Sequence, residues 1–309
     1  MSARGPANDF TQAVVLGAGL GTRLRPMTDH LPKPGVPLAH TPVAAHAILH
    51  LVLAGVRDVC VNTHYLADAL EDTLPRHVPR GLTLRFSRED HLLGTGGGIR
   101  AAWATLDPSR PLIVMNGDIL FRPDLDAAIQ AHRERHALAT MIVRSHPEPE
   151  RLGAIDTDAQ GRVVRLLGTP VERAPTDTWM FTGVHLLSPE AFHELPREGC
   201  IVREAYRHWV DAERAVYAQP SLSHFRDVGT HAEYLAAHLD ALDSLGFEYA
   251  IHPSVRFGKG ASATRSWIGS DATLAPGVHL HECVVWPDTL VTESASRAIF
   301  GPFGVIRVA

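Results

Sequence analysis

Lysine is almost missing from this chain of 309 residues: only two of its 29 basic residues, Lys33 and Lys259, are lysines. The basic residues form no tract, and the formal net charge is −5. Nucleic acids and anionic membrane surfaces attract clustered positive charge, so neither is expected as a partner. Because arginine meets nearly every other need for a cation, a lysine at position 33 indicates a specific role.

Cysteines and long apolar runs are also scarce. The cysteines, at positions 60, 200 and 283, form neither a metal-spaced pair nor a disulfide framework. No stretch approaches the roughly 18 apolar residues of a transmembrane helix, and residues 1–10 lack the apolar segment of a signal peptide. We therefore expect a cytoplasmic protein that neither crosses a membrane nor is secreted.

Glycine is concentrated where the first apolar run, residues 14–16, ends. Three alternating glycines follow it: Gly17, Gly19 and Gly21. Only glycine lets successive backbone N–H groups approach a phosphate without a Cβ in the way. Arg23 then adds a planar guanidinium, and Lys33, between two prolines, adds a compact ammonium. This segment predicts a polyphosphate-binding loop.

Two other glycine-rich loops are excluded by their residues. A dinucleotide-binding loop would need glycine where Thr22 stands, and the run 58–62 ends in Asn62 rather than in an acid that binds a ribose. A P-loop would need Gly-Lys-Ser/Thr at its end, and none follows.

At this point the chain resembles the sugar-1-phosphate nucleotidyltransferases, also called nucleotide-sugar pyrophosphorylases. The resemblance covers nearly the whole chain and rests on motifs in that family's order: Gly17-x-Gly19-x-Gly21-Thr22-Arg23-Leu24-x-Pro26-x-Thr28, Pro32-Lys33-Pro34, Gly94-Thr95-Gly96-Gly97-Gly98, Asn116-Gly117-Asp118, Phe181-Thr182-Gly183-Val184 and Asp227-Val228-Gly229-Thr230. It implies that the nucleotide is bound by Leu16, Gly17, Gly19, Gly21, Thr22, Arg23, Gly94, Thr95 and Gly96. It also implies substrate contacts from Gly98, Asn116 and Gly183.

The implied reaction is in-line attack by a phosphate oxygen of a sugar 1-phosphate on the α-phosphorus of a nucleoside triphosphate, with release of pyrophosphate. Arg23, Lys33 and Asp118 are the expected catalytic residues. Mg²⁺ is usually held by one or two protein carboxylates, and Asp118 and Asp227 match the family's metal ligands by position. A turn aspartate at 118 and a helix N-cap at 227 are the structural alternatives.

One departure from the family affects the sugar. Many members have Glu-Lys-Pro, whose lysine binds the sugar phosphate, where this chain has Gly-Thr-Pro at 168–170. Arg165 or Arg173 could replace that lysine. A similar loss, with the Thr-Gly-Gly-Gly-Ile run, occurs in uridylyltransferases of N-acetylmuramate 1-phosphate. By resemblance we favour a guanylyltransferase that uses GTP with mannose 1-phosphate or a related sugar 1-phosphate. The alternatives are a uridylyl- or thymidylyltransferase acting on another sugar 1-phosphate and, from another class, a catalytically silent nucleotide-sugar sensor.

The first half of the chain predicts an α/β fold with a doubly wound, mainly parallel sheet. Thr41 is the expected N-cap of one helix, with Pro42 at N1, and another helix is expected over residues 99–106. Shorter strands at 139–143, 154–156, 162–167 and 179–187 predict an antiparallel lid that, by resemblance, holds the sugar. Ligands are expected at the carboxyl ends of the parallel strands.

A hexad rhythm follows Gly246. Its apolar positions, with two one-residue slips, are Ile251, Phe257, Ala263, Ile268, Leu274, Leu280, Val285 and Val291. Such a rhythm is typical of a parallel β-helix, although a plain β-rich tail is the simpler alternative. We expect a nucleotidyltransferase domain over 1–247 and, by resemblance to many pyrophosphorylases, a left-handed β-helix over 248–309. Open terminal coils favour a homo-oligomer formed through this segment.

Two histidine pairs at helical i, i+4 spacing suggest metal binding at first sight: His46 with His50, and His132 with His136. Neither has the His-Glu-x-x-His pattern of a zinc site, so we expect them to lie on helices without a metal.

Overall fold

The computed structural model describes residues 9–149, 153–167 and 175–309. In the first half of the chain, strands and helices alternate as predicted. The strands are β1 (Gln12–Leu16), β2 (Pro37–Leu38), β3 (Thr41–Pro42), β4 (Asp58–Thr63), β5 (Thr83–Arg88), β6 (Leu112–Asn116) and β7 (Ile119–Phe121). The helices are α1 (Val43–Leu53), α2 (Ala67–Thr73), α3 (Gly94–Ala104) and α4 (Leu125–Glu134).

Four of these strands form a parallel core in the order β5-β4-β1-β6. Alternate residues of each strand face opposite sides of the sheet. Val14 and Val114 pack on the side of α3, whereas Val15 and Met115 pack on the side of α1. Because the strands are parallel, their carboxyl ends lie at one edge, where α/β sheets bind ligands.

Six further strands and three helices lie among the described residues in the middle of the chain. The strands are β8 (Ala139–Arg144), β9 (Ala154–Thr157), β10 (Val163–Leu166), β11 (Asp177–Leu187), β12 (Val216–Pro220) and β13 (Phe225–Asp227). The helices are α5 (Ala191–Glu194), α6 (Arg207–Asp211), which follows a π-helical turn at Val202–Tyr206, and α7 (His231–Leu245).

The predicted lid is not a separate layer. Strand β11 pairs antiparallel with β6, β8 and β9, so β8 to β11 continue the central sheet, which has nine strands among the described residues. The sheet is consequently mixed rather than mainly parallel: its parallel core is followed by antiparallel pairs and by the parallel pair β8–β12. Local patterns predicted the strands but not their partners, because pairing is a long-range property.

Two helices begin at other residues than predicted. Thr41 and Pro42 pair with β2, so α1 begins at Val43 and Thr41 makes no cap hydrogen bond to it. Helix α3 begins at Gly94 rather than at residue 99, which places the glycine run in its first turns. Glycine destabilises helix interiors, so the first turns of α3 depend on contacts with other segments for their stability.

The C-terminal strands are short and evenly spaced. They are β14 (Ala250–Ile251), β15 (Arg256–Phe257), β16 (Ser262–Thr264), β17 (Trp267–Ile268), β18 (Thr273–Leu274), β19 (His279–His281), β20 (Val284–Val285), β21 (Leu290–Val291), β22 (Ala295–Ser296), β23 (Ala298–Gly301) and β24 (Gly304–Arg307). They form three stacks of parallel strands, β14-β17-β20-β23, β15-β18-β21 and β16-β19-β22, and β24 pairs antiparallel with β23.

This arrangement fits a parallel β-helix, and it explains the slips in the hexad rhythm. Ile251 pairs with Ile268, and Ile268 pairs with Val285. These two coils therefore take 17 residues rather than three full hexads, which accounts for both slips. In the last coil Val285 pairs with Phe300, only 15 residues further on. The inward residues Ile268, Leu274 and Leu280 are buried as predicted.

The longest helix of the described residues, α7, has 15 residues. None of the described helices is long and apolar enough to cross a membrane.

Candidate active site

Two aspartates that are distant in the sequence meet at the carboxyl edge of the parallel core. Asp118 follows β6, where the Gly117 amide donates a 2.8 Å hydrogen bond to Leu16 O. A Cβ at position 117 would lie 2.8 Å from that same oxygen, which explains the glycine. Asp227 ends β13 and pairs with Ile119 of β7. The β7–β13 pairing, which the sequence did not predict, therefore places Asp227 beside Asp118.

Lys33 lies between the two aspartates. Its Nζ is 2.6 Å from Asp118 Oδ2 and 3.3 Å from Asp227 Oδ1, and its side chain is only 10% exposed. Arg23 Nη2 lies 3.9 Å from Asp227 Oδ2, at the open side of the cluster. The structure thus brings together all four residues that the sequence singled out for catalysis and metal binding, as two anions and two cations.

The glycine loop is held by specific contacts. Gly21 has a φ of 62°, and a Cβ there would lie 2.9 Å from Thr28 Cγ2 and 3.0 Å from Lys33 Cβ. The Gly17 amide donates a 2.7 Å hydrogen bond to Asn62 Oδ1. In this structure the amide is therefore already engaged and does not point freely toward the phosphate that the sequence analysis expected it to bind. A Cβ at Gly19 would meet nothing within 4 Å. Gly17 and Gly21 are therefore required for packing, and Gly19 is the glycine that faces open space.

A crevice of about 820 Å³ opens over these groups. The sequence-predicted residues that line it are Leu16, Arg23, Thr95, Asn116, Asp118, Gly183 and Asp227. Sequence reasoning missed other lining residues, among them Arg144, His146, His185, Cys200, Phe225 and Glu233. No motif marks these residues. Arg144 ends β8, but the sequence predicted that strand in an antiparallel lid, to which the rule for the carboxyl ends of parallel strands does not apply.

The glycines of α3 approach other protein segments rather than open space. A Cβ at Gly94 would lie 2.5 Å from Gly199 O, and one at Gly96 would lie 2.6 Å from Pro196 Cγ. A Cβ at Gly98 would lie 2.6 Å from Asn62 Nδ2. The described neighbours of Gly94 and Gly96 therefore belong to the 196–201 segment. Contacts of these glycines with a base or sugar stay a prediction.

The two arginines proposed to replace the family's lysine are placed differently. Arg165 forms an ion pair with the buried Asp156 and is not among the described residues that line the crevice. Arg173 lies outside the described residues. Gly183 does line the crevice, and a Cβ there would lie 2.3 Å from Asn116 Nδ2.

The floor of the crevice contains a buried polar pair. His185 Nδ1 and the Tyr206 hydroxyl are 2.7 Å apart. Burial lowers the pKa of His185 to about 3 and raises the pKa of Tyr206 well above its usual value. Both side chains are consequently neutral around pH 7.

The structural alternatives weighed for the sequence can now be compared with the contacts. Thr230, not Asp227, caps α7, since its side chain accepts a hydrogen bond from Glu233 N. Three of the four histidines in these pairs form side-chain hydrogen bonds within the protein: His46 with Leu38 O, His50 with Pro123 O, and His132 with Thr140 and Ser188. His136 lies beyond the end of α4.

The C-terminal strands support the loop that carries Lys33. Trp267 and Trp286 are buried in one apolar cluster with Leu24 and Met27 of that loop. Trp286 Nε1 donates a 3.0 Å hydrogen bond to the hydroxyl of Tyr234 in α7. The C-terminal segment therefore has a packing role within its own chain, beside the assembly role predicted from the sequence.

A model of the nucleotidyl transferase family matches residues 12–244. This chain belongs to that family. The predicted class, a sugar-1-phosphate nucleotidyltransferase, is thereby confirmed together with its enzymatic character.

Among curated relatives, this nucleotidyltransferase is 30% identical over 293 residues to mannose-1-phosphate guanylyltransferase of Mycobacterium tuberculosis, with 91% of this chain and 81% of that protein covered. It is 27% identical to UTP–glucose-1-phosphate uridylyltransferase of Synechocystis, with 73% of this chain and 62% of that protein covered. A crystal structure of HddC from Yersinia pseudotuberculosis matches with a TM-score of 0.62 and 25% identity, over 74% of this chain and 97% of that chain.

The donor set fits a divalent metal ion, which nucleotidyltransferases of this family generally use. Asp118 and Asp227 offer hard carboxylate oxygens that already share one cation, the Lys33 ammonium. In the described part of the chain, no group of three or more metal-binding side chains is present. Two carboxylates suit an ion that takes its other ligands from water and substrate phosphates.

Proposed function

We propose that this nucleotidyltransferase transfers a guanylyl group from GTP to mannose 1-phosphate or a related sugar 1-phosphate and releases pyrophosphate. The observation that carries this proposal is the position of Lys33 between Asp118 and Asp227, two residues that line a crevice large enough for a nucleotide and a sugar. The guanylyltransferase from Mycobacterium tuberculosis supports the choice of base and sugar, because its similarity extends over 91% of this chain.

The reaction forms a bond between a sugar-phosphate oxygen and the α-phosphorus, and it breaks the bond from that phosphorus to the oxygen that leaves with pyrophosphate. The attacking oxygen is already anionic, so no general base is required. The protein must orient two polyanions and neutralise their charge. Arg23 and Lys33 bind the β- and γ-phosphates that leave. Asn116 and Gly183 line the space for the sugar.

Mg²⁺ is the proposed metal, and Asp118 and Asp227 would hold it. When bound, it supplies positive charge to the phosphate oxygens of both substrates. Lys33 contacts the same two carboxylates, so it competes with the metal for them unless its ammonium moves to a phosphate. A short lysine head group can make that move more easily than a planar guanidinium.

A uridylyl- or thymidylyltransferase acting on glucose 1-phosphate or N-acetylmuramate 1-phosphate is the second candidate. The similarity to the Synechocystis uridylyltransferase and the absence of the Glu-Lys-Pro lysine favour it. A catalytically silent nucleotide-sugar sensor is the alternative of another class.

We further propose two domains, with boundaries at 1–247 and 248–309. The second is a left-handed β-helix through which subunits assemble into a homo-oligomer. Its first coil supports this, because the strand edges of β14, β15 and β16 face no further coil and Phe257 is 42% exposed. Light scattering of the full chain tests the assembly, and a monomer would contradict it.

A pyrophosphate-release screen tests the activity. Each of five nucleoside triphosphates is combined with mannose 1-phosphate, glucose 1-phosphate and N-acetylmuramate 1-phosphate in the presence of Mg²⁺. We expect release with GTP and mannose 1-phosphate. Release only with UTP or dTTP would select the second candidate, and binding of nucleotide sugars without any release would select the sensor.

A further inference from the structure

Arg144 lies at the edge of the sheet that carries the catalytic groups. It is the last residue of β8, and β8 and β6 both pair antiparallel with β11. The two strands are consequently parallel to each other, and their carboxyl ends face the same crevice. In β11, Arg144 pairs with Met180, next to the irregular register that contains Gly183.

The guanidinium of Arg144 has no carboxylate partner among the described residues. It lies over the ring of Phe225, with Cζ 5.5 Å from the ring centroid, and its Nη1 is 3.5 Å from Phe225 O. The other crevice arginines differ in this respect: Arg226 is paired with Glu233 and Asp240, and Arg23 lies near Asp227. Arg144 therefore presents an uncompensated positive charge to the crevice.

The position of Arg144 suits a second anion rather than the triphosphate. Strand β8 is separated from β1, which leads into the glycine loop, by β6 and β11. Three strand spacings make that separation roughly 14 Å. Phe225, under Arg144, is two residues before Asp227 on β13, so the two side chains share one face about 7 Å apart. Asp227 thus lies between the region of the triphosphate and Arg144.

We propose that Arg144 binds the phosphate of the sugar 1-phosphate, in the role that the missing lysine of the Glu-Lys-Pro motif has in other members. This assignment rests on the proposed function. A guanidinium is always charged and can contact two phosphate oxygens at once, and stacking on Phe225 fixes its plane. Arg165 is already paired with Asp156, and among the described residues Arg144 is the arginine of the crevice without a carboxylate partner.

Steady-state kinetics of R144Q and R144K test the assignment, with R135Q as a matched control. Arg135 has the same kind of surroundings outside the crevice: its Cζ is 5.1 Å from the Tyr217 ring centroid and its Nη1 is 3.4 Å from Ala218 O. Loss of a charged hydrogen-bond donor should raise KM for the sugar 1-phosphate about 10- to 100-fold in R144Q. We expect KM for the nucleotide to change less than about twofold, R144K to recover part of the loss, and R135Q to behave as wild type.

Three results would overturn the assignment. An unchanged KM for the sugar 1-phosphate in R144Q would show that Arg144 does not contact it. An equal rise in both KM values would place Arg144 on the nucleotide. The same rise in KM for R135Q would show that losing an arginine stacked on an aromatic ring raises KM even without contact with the substrate. A wild-type protein that releases no pyrophosphate with any substrate pair would instead overturn the proposed function, and the Arg144 assignment with it.

Discussion

The ammonium of Lys33 lies 2.6 Å from Asp118 Oδ2, although the two residues are 85 positions apart in the sequence. The Lys33 loop and the end of β6 both lie at the carboxyl edge of the parallel strands. The contact joins a phosphate-binding element to a metal-binding element, and Asp227 completes it from β13. The site therefore depends on three charged groups, and the effect of removing each one can be measured.

Replacing Asp118 or Asp227 with asparagine should lower kcat about 100-fold or more, because each change removes a charge that the metal and Lys33 share. Initial rates of pyrophosphate release at saturating Mg²⁺ measure the effect. D211N is the control, since Asp211 is an exposed residue paired with Arg207 on α6. Near wild-type rates in either site variant would refute its metal role.

Lys33→Arg should lower kcat on the order of 100-fold, although the charge is kept. The Lys33 side chain is nearly buried between two carboxylates, and a larger planar group cannot occupy the same position. K259R changes the only other lysine, which is exposed in the turn between β15 and β16, and should keep full activity. Equal kinetics for K33R and K259R would show that Lys33 is an ordinary loop residue.

Trp286→Ala should destabilise the protein by about 3–5 kcal/mol and should also reduce activity. The indole is 4% exposed and packs in the cluster that contains Leu24 and Met27, next to the catalytic loop. Urea unfolding gives the stability, and L290A, at a residue 64% exposed, is the control. If W286A were destabilised but kept wild-type kinetics below its unfolding transition, the C-terminal strands would not be needed to support the active site.

The free energy of unfolding should fall as the pH is lowered from about 6.5 to 4. Burial lowers the pKa of His132 to about 4, so the unfolded chain binds a proton over this range that the folded chain does not. H132Q should make the pH dependence shallower by up to about 1.4 kcal/mol per pH unit. Urea titrations at several pH values measure the slope, and the exposed His193→Gln serves as the comparison. An H132Q slope equal to that of wild type would contradict the prediction.

Local patterns in the sequence predicted much of the site. Gly17 to Lys33 and Asp118 were found because chemistry and spacing coincide in continuous segments. The C-terminal coils were found because apolar residues repeat at short range, and even the slips proved to be part of the 17-residue period.

What the sequence missed depends on contacts between distant segments. The glycines of α3 form a helix because residues 196–199 pack closely against them. Asp227 was predicted as a metal ligand, but the β7–β13 pairing that brings it to Asp118 was not. Arg144 reaches the crevice only because β8 extends the central sheet. No local pattern specifies which strands pair, so these three features required the structure.

Phosphorus NMR of the protein with GTP, mannose 1-phosphate and Mg²⁺ measures directly whether a guanylyl group is transferred. We expect the signals of both substrates to decrease while a nucleoside diphosphate-sugar and pyrophosphate appear in equal amounts, and we expect D118N to abolish the change. Release of inorganic phosphate instead, or identical spectra for wild type and D118N, would contradict this expectation.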